Sequence, residues 1–281
     1  MMQASHPLTV VVVAITTLGS PNFLMGVILA VYWCSRRTTG LKAGVVWLVS
    51  MWLNSVLKIV LRIPRPESPV SSHWWSALVE VEGYGFPSGH AMATATLWWT
   101  LAWAWGNRLL YYLGVLFTAL VGASRVYLRA HYLADVVGGG ALGIAVASLA
   151  AHGISWLERR GYRLRATAAV TLAAAASGMA MLGPLDSFVA KSAGFFLGFV
   201  AGGVLEPVLG GVSRNAVPLV QAVKTAFGVV IVLTLSAALK HVLPETVTGV
   251  FWRYAAMGAA ATFVMPALFV ITRLSKIEAR R

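Results

Sequence analysis

Long apolar blocks alternate with short polar connections along the whole chain. An α-helix needs about 20 mostly apolar residues to cross the hydrocarbon core of a bilayer, and the blocks have about that length. They predict nine spans in an all-α polytopic membrane bundle, at 8–34, 41–61, 88–105, 109–127, 133–156, 166–183, 187–211, 216–240 and 246–272. Because proline removes a helix hydrogen bond, Gly19-Ser20-Pro21 predicts a bend within the first span.

Composition agrees with this pattern. Of the 281 residues, 58% are hydrophobic and 11% charged, and the mean hydropathy is +0.77. Soluble domains carry about 25% charged residues. This chain has too many apolar side chains to bury in the core of one soluble domain. The spans leave little length for a separate soluble domain.

The net charge of +13 indicates orientation. Lys and Arg collect in cytoplasmic loops, and thirteen of the 22 lie in connections after odd-numbered spans. These are Arg36, Arg37, Lys42, Arg108, Arg159, Arg160, Arg163, Arg165, Arg214, Arg273, Lys276, Arg280 and Arg281. We therefore expect the N-terminus outside, the C-terminus inside, and no nucleic-acid partner.

Three polar segments lie at the ends of spans predicted to face outward. They are Lys58-x6-Arg65-Pro66, Pro87-Ser88-Gly89-His90 and Ser124-Arg125-x5-His131-x3-Asp135. The long 62–87 loop, with Trp74 and Trp75, favours a short interfacial helix near 72–81. The segments place charged groups where membrane burial makes them costly, which indicates a functional site.

The cations and the glycine turn predict a phosphate cradle. Clustered Lys58, Arg65 and Arg125 need an anion, and arginine matches phosphate oxygens with paired donors. At Ser88-Gly89, the small glycine permits close backbone approach, and a helix start offers free N–H groups to an anion.

Two histidines supply the reactive groups. His131 and Asp135 are four residues apart, so they share a helix face, and the carboxylate can orient the imidazole. His131 is then the predicted nucleophile. His90, on another helix, is the predicted acid that protonates the leaving oxygen and later the base that activates water. The set predicts phosphate-ester hydrolysis through a phosphohistidine.

These segments resemble the signature of the type 2 phosphatidate phosphatase (lipid phosphate phosphatase) superfamily, which includes glucose-6-phosphatase and shares its site with vanadium haloperoxidases. All eleven specified positions are present between residues 58 and 135. The resemblance implies that His131 is the nucleophile, Asp135 its partner and His90 the acid and base. It also implies that Lys58, Arg65, Ser88, Gly89 and Arg125 bind the phosphoryl group, with no metal and no other cofactor.

The layout resembles the glucose-6-phosphatase branch of that superfamily. We expect residues 1–165 to form the phosphatase core and 166–281 to add further transmembrane helices. The abundance of Arg, Ala and Gly suggests a bacterial protein, hence one in the cytoplasmic (inner) membrane with its site on the periplasmic side.

Residues outside the signature receive separate interpretations. Arg62 and Arg129 lie beside signature residues without belonging to the pattern and are expected to contact either substrate or lipid phosphates, while Arg253 is a candidate at the mouth of the site. Glu206 and Lys224 predict a structural ion pair between neighbouring spans. The glycines of Gly138-x-Gly140-x-x-Gly143 match a dinucleotide pattern, but without a preceding strand they indicate close helix packing.

The predicted substrate is an amphiphilic phosphomonoester or diphosphate among membrane lipids. Undecaprenyl diphosphate, phosphatidylglycerophosphate, phosphatidate and a sphingoid phosphate all fit, and a soluble sugar phosphate is the alternative within the phosphatase class. A non-catalytic lipid transporter or scaffold would not need the His90, His131 and Asp135 set. Vanadate-dependent halide oxidation fits poorly with so apolar a chain.

Overall fold

The computed structural model describes residues 7–66, 83–161, 187–209, 212–214 and 217–277. These residues form ten α-helices, a short 3-10 helix and one π-helical turn. The α-helices are α1 Pro7–Leu18, α2 Pro21–Cys34, α3 Arg37–Leu61, α4 Gly89–Trp105, α5 Arg108–Tyr127, α6 Leu133–Arg159, α7 Ser187–Leu205, α8 Pro218–Val242, α9 Val247–Ala259 and α10 Met265–Ile271. The 3-10 helix is Glu206–Leu209, and the π-helical turn is Ala260–Val264.

The all-α membrane fold is confirmed. Within the described ranges, six helical segments are long and apolar enough to cross a membrane, and a seventh arises if α1 and α2 form one bent span. The predicted third span is α4, with 17 residues. Predicted span 166–183, the interfacial helix at 72–81 and the boundary at 165 lie outside the described residues, so the nine-span count stays a prediction.

The predicted break in the first span is also confirmed. Helices α1 and α2 meet at an angle of 50° across Gly19 and Ser20, and α2 begins at Pro21. The backbone N–H of Phe23 donates to Oγ of Ser20 at 3.3 Å, so serine caps the new helix while proline occupies its first position.

The chain divides into two compact units. The first comprises Met1–Met25 and Val49–His152, and the second comprises Gly26–Leu48 and Gly153–Arg281. In the first unit, glycines of α6 allow close backbone approach. A Cβ on Gly139 would lie 2.5 Å from the carbonyl oxygen of Ser88, and one on Gly143 would lie 2.5 Å from that of Met92. Close packing through this glycine segment is therefore confirmed, with Gly139 contributing beside the predicted positions.

The second unit contains a buried ionic group that we call the Glu206 cluster: Arg37, Glu206 and Arg214. Glu206 is 1% exposed, and its carboxylate lies 2.5 Å from Nε of Arg37 and 2.9 Å from Nη2 of Arg214. Arg214 also donates to the carbonyl oxygen of Tyr32 at 2.8 Å. Glu206 thus has two buried or partly buried cationic partners.

The predicted pairing of Glu206 with Lys224 is wrong. The fully buried ammonium of Lys224 donates to the carbonyl oxygen of Trp33 at 3.0 Å and lies 5.3 Å from the ring centre of Phe269. A carbonyl dipole and an aromatic face stabilise this cation. Lys224 does not pair with Glu206, because that carboxylate is already bound by two arginines.

Candidate active site

The three polar segments meet at one end of the first unit. Lys58 lies in the last turn of α3, where a cation interacts favourably with the negative end of the helix dipole. Its ammonium donates to the carbonyl oxygen of Tyr84 at 2.5 Å. This contact joins the end of α3 to the stretch that leads into the Pro87-Ser88-Gly89-His90 segment.

Arg65 connects the first and third segments. Its Nε donates to the carbonyl oxygen of Gly83 at 2.9 Å, and its Nη1 donates to that of Ala130 at 2.8 Å. The same Nη1 lies 3.0 Å from Nε2 of His131. The guanidinium is therefore held by two backbone carbonyls directly against the predicted nucleophile.

The residues before α4 form a tightly enclosed turn. The backbone N–H of Ser88 donates to the carbonyl oxygen of Asp135 at 2.9 Å, which ties the start of α4 to the start of α6. Gly85 fits this corner because a Cβ there would lie 3.0 Å from the carbonyl oxygen of Pro64 and 3.1 Å from Oδ2 of Asp135.

Two buried polar atoms in this turn lack hydrogen-bond partners among the described residues: Oγ of Ser88 and Nε2 of His90. Ser88 is fully buried and His90 is 6% exposed. Ser88 is the N-cap of α4, yet its hydroxyl makes no capping bond. Since unpaired buried polar atoms are costly, the two atoms mark a place where a polar ligand fits.

Arg125 lies in the last turn of α5 and is completely buried. Its Nη1 donates to Oγ1 of Thr16 on α1 at 3.3 Å. Around this contact, Val12 and Val13 of α1 form an apolar cluster with Leu128 and Ala130. The first helix of the chain thus supports the third cation of the site.

His131 and Asp135 form the predicted pair. Nδ1 of His131 lies 3.4 Å from Oδ2 of Asp135, which also accepts a hydrogen bond from the backbone N–H of Tyr132 at 2.9 Å. Because a guanidinium only donates, Nε2 facing Arg65 is the unprotonated ring nitrogen, and Nδ1 carries the proton toward Asp135. The lone pair needed for attack is therefore on Nε2.

The electrostatic surroundings keep this histidine neutral. Burial lowers the pKa of His131 well below its usual range, and the positive charges of Arg65, Arg125 and Lys58 lower it further. Arg65 is in direct contact with the ring, with its Nη1 3.0 Å from Nε2. A neutral imidazole is the form that attacks phosphorus.

The three secondary candidates lie in different surroundings. Arg62 and Arg129 are exposed, and each has a φ of 51° within two residues of the end of a helix. Nε of Arg62 donates to the carbonyl oxygen of Ile59 at 3.1 Å. Arg253 lies in the second unit, 3% exposed, and donates to Oε1 of Glu245 at 3.1 Å. Their roles toward substrate stay predictions.

Sequence reasoning missed two polar residues that touch the site, Asn54 and Thr16. Asn54 lies one helical turn before Lys58, so its spacing alone was a usable signal. Thr16 had no such signal. Within the described ranges, no group of three or more His, Cys, Asp or Glu side chains is arranged to hold a metal ion.

Comparison with known proteins adds an independent line of evidence. Residues 39–159 match the family model described as the PAP2 superfamily, and residues 190–278 match that of the PAP2 superfamily phosphatase transmembrane extension. Phosphatidylglycerophosphatase B of Bacillus subtilis is 30% identical over 147 residues, covering 48% of this chain and 69% of that protein.

Other relatives share a smaller part of their length. Human sphingosine-1-phosphate phosphatase 2 is 36% identical over 101 residues, 34% of this chain and 25% of the relative. Mouse glucose-6-phosphatase 3 is 31% identical over 158 residues, 47% of this chain and 44% of the relative. The chain therefore spans less than half the length of these two relatives.

One solved structure is also similar: the first transmembrane PAP2 type phosphatidylglycerolphosphate phosphatase from Bacillus subtilis. It is 28% identical, with a TM-score of 0.46, covering 54% of this chain and 80% of that one. The two matched family models and the similarity to phosphatidylglycerophosphatase B together show that this integral membrane protein belongs to the PAP2 superfamily, whose type 2 phosphatidate phosphatase signature it carries.

Proposed function

We propose that this protein is a metal-independent membrane phosphatase that hydrolyses the phosphomonoester or diphosphate of an amphiphilic lipid through a phosphohistidine. One observation carries the proposal: among the described residues, Nε2 of His90 and Oγ of Ser88 are buried without hydrogen-bond partners in the turn whose backbone is bonded to Asp135, the partner of His131. The phosphoryl group of a substrate supplies the oxygen atoms that such an arrangement requires.

The chemistry follows from the position of each group. Lys58, Arg65, Arg125 and the first amides of α4 bind the phosphoryl oxygens, so Arg65 exchanges its contact with His131 for one with substrate. Nε2 of His131 attacks phosphorus, and a P–N bond forms as the P–O bond to the leaving group breaks. Asp135 stabilises the positive ring, and His90 gives its proton to the departing oxygen.

The second half of the reaction restores the enzyme. His90, now neutral, removes a proton from a water molecule that attacks phosphorus from the side of the departed alcohol. The P–N bond breaks, inorganic phosphate leaves, and His131 recovers its lone pair. The proton taken by His90 replaces the one that it gave away.

A lipid substrate is supported by two relatives whose names specify lipid phosphates and by a site built at the ends of membrane helices. The similarity to glucose-6-phosphatase 3 supports a sugar phosphate as the second candidate. The distribution of Lys and Arg supports a site on the periplasmic side of a bacterial inner membrane, with the N-terminus outside.

The test is phosphate release by purified protein in detergent with a metal chelator present. The panel contains undecaprenyl diphosphate, phosphatidylglycerophosphate, phosphatidate, sphingosine 1-phosphate and glucose 6-phosphate. We expect hydrolysis of at least one lipid phosphate, inhibition by vanadate, and a loss of about 10³-fold or more with His131→Ala. His152→Ala, which alters an exposed histidine of α6, is the matched control.

The intermediate has its own readout. Brief exposure to substrate labelled at the phosphoryl group should leave acid-labile, base-stable label on the wild type and none on His131→Ala. Label retained by that variant contradicts the nucleophile assignment. Preference for glucose 6-phosphate over every lipid contradicts the substrate class alone.

A further inference from the structure

A row of polar side chains runs along α3 toward the site. Ser50, Asn54 and Lys58 are spaced four residues apart, so they lie on one face of the helix. Oγ of Ser50 lies 2.8 Å from Oγ1 of Thr96, and the ammonium of Lys58 donates to the carbonyl oxygen of Tyr84. The face of α3 that carries the predicted phosphate ligand Lys58 is thus joined to α4 and to the chain before it.

Asn54 is the central member of this row and contacts the phosphate-binding turn itself. It is 3% exposed, and its Nδ2 donates to the carbonyl oxygen of Pro87 at 3.1 Å. The same nitrogen lies 3.5 Å from Sδ of Met92, and Oδ1 lies 3.3 Å from the position of a Cβ on Gly89. The carboxamide therefore lies across the first turn of α4.

The peptide group between Pro87 and Ser88 is held from both sides. Its carbonyl accepts the hydrogen bond from Asn54, and its N–H donates to the carbonyl oxygen of Asp135 at 2.9 Å. This peptide directly precedes the Ser88 hydroxyl, the first amides of α4 and the His90 imidazole. Its orientation sets where those three groups point.

We propose that Asn54 is a positioning residue that orients the Pro87-Ser88 peptide and thereby the phosphate-binding turn. The proposal rests on the proposed function and extends it to a residue outside the eleven signature positions. Asn54 acts through the turn, whose backbone it fixes relative to Lys58. Catalytic groups misplaced by about 1 Å cost about 100-fold in rate, so the loss of this hydrogen bond has a kinetic consequence.

Two substitutions separate positioning from packing. Asn54→Leu keeps the branched shape of the side chain and Asn54→Ala removes it, while both remove the donor. Ser55→Ala is the matched control, because Ser55 is equally buried and its hydroxyl donates to the carbonyl oxygen of Met51 within α3. Each variant is purified in detergent, and its thermal midpoint, kcat, KM and inhibition constant for orthovanadate are measured.

We expect both Asn54 variants to lose about 10-fold to 100-fold in kcat and in orthovanadate affinity, with KM changing less. Ser55→Ala should match the wild type in both. Wild-type vanadate inhibition in either folded Asn54 variant overturns the proposal, as does the failure of both to fold while Ser55→Ala folds, since Asn54 is then structural only.

A second readout keeps this proposal apart from the proposed function. Orthovanadate should raise the thermal midpoint of the wild type and of Ser55→Ala, and raise it less in the Asn54 variants. If the wild type hydrolyses no member of the panel, the proposed function fails, yet the vanadate shift still tests the role of Asn54. Equal shifts in all four proteins overturn that role alone.

Discussion

The proposed phosphate site of the first unit, called the phosphate site below, and the Glu206 cluster of the second unit contain similar groups but differ in the partners of these groups. The residues of the phosphate site are Lys58, Arg65, Ser88, Gly89, His90, Arg125, His131 and Asp135. Each combines a buried carboxylate with arginines. In the Glu206 cluster the carboxylate faces two guanidinium groups, and Arg214 also donates to backbone carbonyls. In the phosphate site Asp135 faces a neutral imidazole and a backbone N–H, and two nearby polar atoms have no hydrogen-bond partner within the part of the chain that the structure describes.

This difference separates a stabilising cluster from a reactive one. Buried charges that pair with one another hold a fold together, and removal of one partner is costly. Charges arranged around polar atoms without partners lower the stability of the ligand-free protein and make the binding of an anionic ligand more favourable. Residue types alone do not distinguish the two cases, but the partners of each carboxylate do.

The largest expected effect comes from exchanging one lysine in each unit. Lys58→Met should lower kcat/KM about 10³-fold, because a cation proposed to bind the phosphoryl group is lost, while the thermal midpoint stays equal or rises. Lys224→Met, the matched control, should keep the kcat/KM of the wild type and lower the midpoint. Phosphate-release kinetics and thermal unfolding in detergent measure both, and the reverse result breaks the comparison.

Glu206→Gln tests the stabilising role of the Glu206 cluster. Removing the carboxylate leaves Arg37 and Arg214 without their shared anion, and we expect a loss of about 3 kcal/mol in the free energy of unfolding. The kcat per folded molecule should stay within about threefold of the wild type. Denaturant unfolding of purified protein, with activity measured on the same samples, provides both values. A stable but inactive variant contradicts the assigned division of roles.

Low pH should lower the stability of the folded protein through His131. Burial and three cations lower the pKa of this histidine in the folded protein, whereas an unfolded histidine titrates near pH 6.5. Below that pH the unfolded chain binds a proton that the folded protein does not, so stability falls as pH falls. The slope contributed is up to about 1.4 kcal/mol per pH unit.

Thermal midpoints between pH 5 and 7.5 measure this contribution. The midpoint of the wild type should fall more steeply toward pH 5 than that of His131→Ala, and His152→Ala should retain the wild-type slope. Parallel curves for the wild type and His131→Ala show that the histidine is not the source of the acid sensitivity.

The smallest expected effect concerns α1. Thr16→Val removes the oxygen that accepts a hydrogen bond from Arg125 and should weaken orthovanadate inhibition about threefold to tenfold, which matches the loss of one hydrogen bond of ordinary strength. Thr17→Val is the control, because the hydroxyl of Thr17 donates to the carbonyl oxygen of Val13 in its own helix. Equal inhibition constants for the two variants remove Thr16 from the site.

The sequence predicted what depends on local spacing. The bend at Gly19-Ser20-Pro21 follows from helix chemistry, and the contact of His131 with Asp135 follows from a four-residue interval at a helix start. The hydrogen bond of Thr16 to Arg125 joins positions 109 residues apart. It depends on how α1 packs against α5, which no local pattern specifies.

The dependence on helix packing also explains why the predicted partner of Glu206 was wrong. The sequence offered Lys224 because both residues fall near the ends of consecutive spans. Arg37, which contacts Glu206, is distant in the chain, and Arg214 follows the 3-10 helix that begins at Glu206. Charge type predicted that the carboxylate is paired, whereas the identity of its partners required the packing of the second unit.

The π-helical turn at Ala260–Val264 holds one residue more than regular winding would over the same length of helix. Its wider winding coincides with hydrogen bonds from Trp33 and Tyr32 to the carbonyl oxygens of Ala261 and Thr262. Deleting a single residue from the turn restores regular winding and leaves the residues that follow on the same faces of the helix, so Phe269 keeps its contacts with Trp33 and Lys224. The same deletion at the start of α10 rotates the remainder of the helix by about 100°, so a one-residue deletion is tolerated better inside the turn than after it.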